Sequence, residues 1–88
     1  MNRVEVMEYA EREGLLKMDG FDDCIIGLVS GADMPSVLAY DREKVIRQLM
    51  VENEWTRDEA IEFHEFNQFS AYVGVSTPVF VDVIEESV

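Results

Sequence analysis

The chain has little of what usually clamps a small protein or equips it for chemistry. A single cysteine in 88 residues, Cys24, excludes an internal disulfide framework and fits a reducing compartment. A single histidine, His64, leaves no pair of imidazoles for a zinc site. Two prolines and five glycines are spread too thinly to make a linker, and no internal repeat or low-complexity tract is visible. Basic side chains number only 7 against 19 acidic ones, a net charge of −12. That balance argues against unaided binding to phosphate backbones or anionic membranes. No apolar run approaches the roughly 18 residues of a membrane-spanning helix, and the first residues are too charged for a secretory signal. Glycine-rich phosphate loops are absent, Ser30 and Ser70 lack a nucleophile-elbow setting, and no base accompanies Cys24 in sequence. The chain is therefore read as a non-enzyme without a cofactor.

What is present is apolar material, 48% of the residues, including nine aromatics by type: five Phe, three Tyr and one Trp. That is enough for the core of one domain over residues 1–88, without metal or disulfide support. The organising stretch is 40–71, read as two helices joined by a short turn. Asp41 is a good N-cap, and Val45, Ile46, Leu49 and Met50 repeat at helical spacing along one stripe. Asn53 suits the left-handed residue on which many helices finish. Thr56-Arg57-Asp58-Glu59 matches a capping box, with Trp55 placed as a staple against Ala60. At about 100° per residue, Ala60, Ile61, Phe63, His64, Asn67 and Ala71 share the core face, while Asp58, Glu62 and Glu65 form an opposite acidic stripe.

Elsewhere, residues 2–13 read as a helix stopped by Gly14, with a short strand at 4–6 as the alternative. Residues 1–18 either pack on the sheet or stand off as a separate helical arm. Residues 24–29 form a nearly continuous apolar run, expected as a central strand with a bulge or close approach at Gly27. A turn at 30–35 leads to a return strand at 37–40. Gly74 and Pro78 end the helical pair, residues 79–84 read as a third strand, and 85–88 as a frayed acidic tail. The order α-β-β-α-α-β defines an α+β fold: a small antiparallel sheet of about three strands with helices packed on one face.

Gly20-Phe21-Asp22-Asp23-Cys24-Ile25-Ile26-Gly27, Tyr40-Asp41, Glu59-Ala60-Ile61-Glu62-Phe63 with Phe66-Asn67, and Thr77-Pro78-Val79-Phe80-Val81 follow one another in an order that resembles a group of small acidic proteins of tailed bacteriophages. The resemblance covers 19–81. It implies a non-structural phage protein acting in the host bacterial cytoplasm, and it carries no assigned activity or site residues.

Four candidate features can be weighed against plainer readings. Asp19, Asp22, Asp23 and Asp33 are oxygen ligands suited to Mg²⁺ or Ca²⁺ if the hairpin gathers them, but their spacing fits no EF-hand loop and solvated turns are the simpler reading. His64 is expected to be packed and hydrogen-bonded to a neighbour, and Cys24 to be a buried, inert thiol. Asn67 is expected to anchor the neighbouring strand through its amide. Asp58, Glu62 and Glu65 with Phe66 and Tyr72 form the candidate partner-binding surface, since interfaces combine aromatic anchors with a charged rim. Trp55 and Phe69 flank it and are expected to fill the gap between helices and third strand. The functional expectation is an accessory protein that uses this acidic, aromatic-flanked surface to bind and inhibit a host defence or nucleic-acid-processing protein with a basic surface, touching neither nucleic acid nor membrane directly. A small-ligand or divalent-metal domain using 19–33, and a structural homo-oligomer, are the alternatives.

Overall fold

The computed structural model describes residues 1–69 and 76–86. Its elements are α1 (Arg3–Glu13), a 3-10 turn (Asp22–Cys24), β1 (Ile25–Gly31), β2 (Met34–Asp41), α2 (Arg42–Asn53), α3 (Arg57–His64), a π-helical turn (Glu65–Phe69) and β3 (Val79–Val81). The order α-β-β-α-α-β and the α+β class are those the sequence implies.

Each helix start has a local cause. Asn2 caps α1 through a capping box with Glu5, and Gly14 closes it in the left-handed conformation. Asp41 accepts the Lys44 N–H at 3.2 Å and opens α2. The left-handed residue after α2 is Glu54, at φ 56°, rather than Asn53. Asn53 instead returns its amide to the Leu49 carbonyl at 3.0 Å.

β1 and β2 form an antiparallel hairpin closed at Ala32 and Asp33, with a register shift between Ile25 and Gly27 where a bulge was expected. Two expectations fail. The central strand is β2, not β1: the sheet order is β1-β2-β3. Val37, Leu38, Ala39 and Tyr40 are all buried, whereas Ile26 of β1 is 45% exposed. An apolar run alone did not distinguish the middle of the sheet from its edge. The sheet is also mixed rather than wholly antiparallel, because β3 lies parallel to β2, with Ala39 opposite Val79 and Asp41 opposite Val81. A strand delivered by a helical crossover can pair in parallel, while one returning through a tight turn must pair antiparallel.

The core joins Val6 and Ala10 of α1, Met18, Phe21 and Cys24 of the connector, Ile25, Leu38 and Tyr40 of the sheet, Val45, Ile46 and Leu49 of α2, and Ala60 of α3. The first helix is thus built into the core through two buried side chains, with the half-buried Met7 packed beside them. Arg3 adds a hydrogen bond to the Asp22 carbonyl at 2.6 Å. The connector is pinned from within: the Met18 N–H donates to the Tyr40 hydroxyl at 2.8 Å, with both residues buried.

Candidate functional site

Thr56 opens α3 with the expected box: its Oγ1 accepts the Glu59 N–H at 3.2 Å, and Glu59 Oε1 accepts the Thr56 N–H at 2.9 Å. That backbone hydrogen bond holds the Glu59 carboxyl below the usual carboxylate range. Trp55 sits at the staple position and packs against the core cluster that includes Ala60. Its ring packs on Phe63, with centroids 5.1 Å apart, because an indole finds far more surface on a phenyl ring than on a methyl group.

At the surface, Glu43 of α2 ties the two helices together. It takes Arg57 through two bonds of 2.7 and 2.6 Å, and Arg47 at 3.0 Å. The Arg57 bonds, chiefly, hold the Glu43 carboxyl below its ordinary value.

The largest departure from sequence expectation follows His64. There the helix widens into the π turn, so later residues fall short of the rotation that a regular α-helix would give them. Gln68, not Asn67, turns inward. Asn67 is exposed and bonds back to the Phe63 carbonyl at 3.1 Å, so it anchors no strand. Gln68 is buried and its Oε1 lies 2.9 Å from His64 Nδ1.

His64 is packed and bonded to a neighbour, as its place on the apolar face implied. It is 1% exposed and meets Phe80 of β3 edge-on at 4.6 Å. Burial pushes its imidazole below the ordinary value. With Nδ1–H donating to Gln68, Nε2 is left as an acceptor with no partner among the described residues.

This anchor leaves Phe66 75% exposed and Phe69 51% exposed. Phe66 is a ridge between two grooves. One, about 460 Å³, is lined by Trp55, Glu59, Glu62, Phe63, Phe66 and Asn67. The other, about 300 Å³, is lined by Arg42, Glu65, Phe66 and Phe69. In the second, the Arg42 guanidinium stands 4.6 Å over the Phe69 ring, and its Nε is 3.1 Å from Asp82. Phe69 also reaches Phe80, at 6.1 Å between centroids. It therefore fills part of the space toward the third strand while keeping half its surface open.

The structure brings Glu62 and Phe66 together in the first groove, and Glu65 and Phe66 in the second. Asp58 is exposed and lines neither, and Tyr72 lies outside the described residues, as do Ser70, Ala71 and Gly74. The roles of Glu59, Phe63 and Arg42 were missed. The spacing of four between Glu59 and Phe63, and between Glu62 and Phe66, held part of that signal.

Asp19, Asp22, Asp23 and Asp33 are not gathered. Among the described residues no three His, Cys, Asp or Glu side chains are grouped to hold an ion. Asp33 sits at the hairpin tip, and Asp22 pairs with Lys17 at 3.4 Å. Cys24 is buried just ahead of β1, with its Sγ 3.3 Å from Gln48 Oε1, and burial raises its thiol above the ordinary value. Such a thiol is a poor nucleophile. A further opening, lined by Met1, Asn2, Arg3, Val6, Ile25, Ile26 and Gly27, carries no carboxylate, histidine or cysteine. No helix among the described residues is long and apolar enough to cross a membrane.

No protein-family model, curated protein or solved structure matches the chain. The class the geometry defines is a small α+β domain presenting an aromatic ridge between carboxylates.

Proposed function

We propose that the chain is a binding module whose α3 face, with Glu62, Glu65 and Phe66 at its centre and Asp58 at its rim, occludes a basic surface of another protein. In the phage setting that the resemblance implies, this is a host defence or nucleic-acid-processing factor of the bacterial cytoplasm. The carrying observation is Phe66. A phenylalanine 75% exposed and flanked by Glu62 and Glu65 is maintained on the surface by the His64–Gln68 anchor beneath it. Exposed aromatic anchors within a charged rim are the composition of protein interfaces. The net charge of −12 supplies attraction for a basic surface and speeds encounter with it.

The test is affinity capture from bacterial lysate with wild-type protein and with a Glu62→Lys, Glu65→Lys double variant, read by mass spectrometry. A stoichiometric basic protein should be retained by the wild type at low salt, released at high salt, and lost from the variant. A partner held equally by both forms would refute the electrostatic basis.

A further inference from the structure

We infer that the groove between Trp55, Phe63 and Phe66 receives an arginine side chain of a protein partner, with the guanidinium stacked on the aromatic faces and neutralised by Glu59 and Glu62. This deepens the binding function proposed above and rests on it for the basic character of the partner.

The groove's lining comprises three aromatic rings, two carboxylates and one amide, with no basic residue. Aromatic faces attract cations through their quadrupole, and carboxylates beside them add charge and hydrogen bonding. Glu59 is oriented by the capping box, whose Thr56 N–H keeps it ionised. The Glu62 carboxylate makes no hydrogen bond or ion pair with any described residue, so it is available to an incoming donor.

The protein already carries this arrangement once, filled by itself. Across the Phe66 ridge, Arg42 lies over Phe69 in a groove that also has Glu65, and pairs with Asp82. The Trp55 groove repeats the aromatic and acidic lining without the cation. The chain's other arginines are engaged elsewhere: Arg47 and Arg57 on Glu43, Arg12 beside Glu13 and over Tyr9, and Arg3 on the Asp22 carbonyl.

Arginine fits better than lysine for a physical reason. Its planar guanidinium is weakly hydrated, stacks on rings and can bond a carboxylate in its plane at the same time, while an ammonium keeps its water more tightly.

Trp55 is the only tryptophan and lines the groove, so it reports occupancy directly. The experiment titrates the full chain with a Gly/Ser peptide carrying several arginines, and with the same peptide carrying lysines or neutral citrullines instead. Trp55 fluorescence and the NMR shift of its indole N–H are followed. The arginine peptide should perturb both saturably, the lysine peptide should bind more weakly, and the citrulline peptide should not bind. Phe66→Ala and Glu62→Gln, both at exposed positions, should each weaken arginine-peptide binding by about three- to tenfold, with circular dichroism unchanged.

If the arginine peptide binds but leaves Trp55 unperturbed and tolerates Phe66→Ala, the groove is overturned while the acidic-face reading stands. Equal binding of the arginine and lysine peptides, or binding of the citrulline peptide, overturns the stacked-guanidinium site. Absence of any binding at low salt overturns both.

Discussion

The hydroxyl of Tyr40 offers a sharp test of how the connector is held. Tyr40 sits at 0% exposure in the central strand, and its oxygen accepts the Met18 N–H at 2.8 Å. Tyr40→Phe keeps the ring and its contact with Phe80, at 5.8 Å between centroids. It removes the hydroxyl, leaving a backbone N–H of a residue that is 3% exposed without that bond. An orphaned buried donor costs about 1–3 kcal/mol, partly offset because a hydroxyl no longer has to be desolvated. A net loss of about 2 kcal/mol lowers Tm by roughly 8–16 °C in a domain of this size. In urea the midpoint should fall at unchanged slope, since the surface exposed on unfolding is the same. Native-state hydrogen exchange supplies the local readout, in which the Met18 amide should lose protection beyond the global loss. If the midpoint is unchanged and that amide stays protected, the hydroxyl does not pin the connector.

His64 and Thr56 support two further predictions. Burial lowers the His64 pKa from its ordinary 6.5, with Arg42 acting in the same direction and Gln68, Glu65 and Asp82 opposing it. The unfolded chain therefore takes up this proton first, so this contribution to stability is complete above about pH 6.5 and is lost as pH falls below it. His64→Leu should flatten the pH dependence of the urea midpoint between about pH 6.5 and 5. It should leave the acid limb below about 4.5, where Glu43 and Glu59, both held below their ordinary value, lose their contribution. An identical slope in wild type and variant would show that His64 does not titrate across unfolding. Thr56→Ala removes the α3 cap and should destabilise by about 0.5–2 kcal/mol, with the Glu59 carboxyl returning toward its ordinary value in an NMR titration. No change in that titration would mean the box does not form in solution.

Much of the local structure was legible because its causes are local. Asp41 and Thr56 cap the helices predicted to start there, Gly14 ends the first, and Gly27 marks the bulge, each through bonds or backbone angles set within a few residues. His64 was placed on the inner face by its position alone. The misses share a different origin. Trp55 meets the ring of Phe63, a partner that the staple spacing does not name. Asn67 and Gln68 exchanged roles because the π turn changes the rotation per residue, and no composition signal announces it.

The α+β order, the capped helices, the acidity and the outward turn of Glu62 and Glu65 were all written along the chain. These follow from propensity, capping and periodicity, which act along the chain. Folding in three dimensions was needed to make β2 the centre of the sheet, to bring β3 beside it in parallel, and to lay Arg42 over Phe69. Those outcomes depend on which segments meet across a long crossover. The Trp55–Phe66 groove arose where both kinds of cause met: helical spacing supplied its carboxylates, and the buried His64–Gln68 contact fixed the turn that carries Phe66.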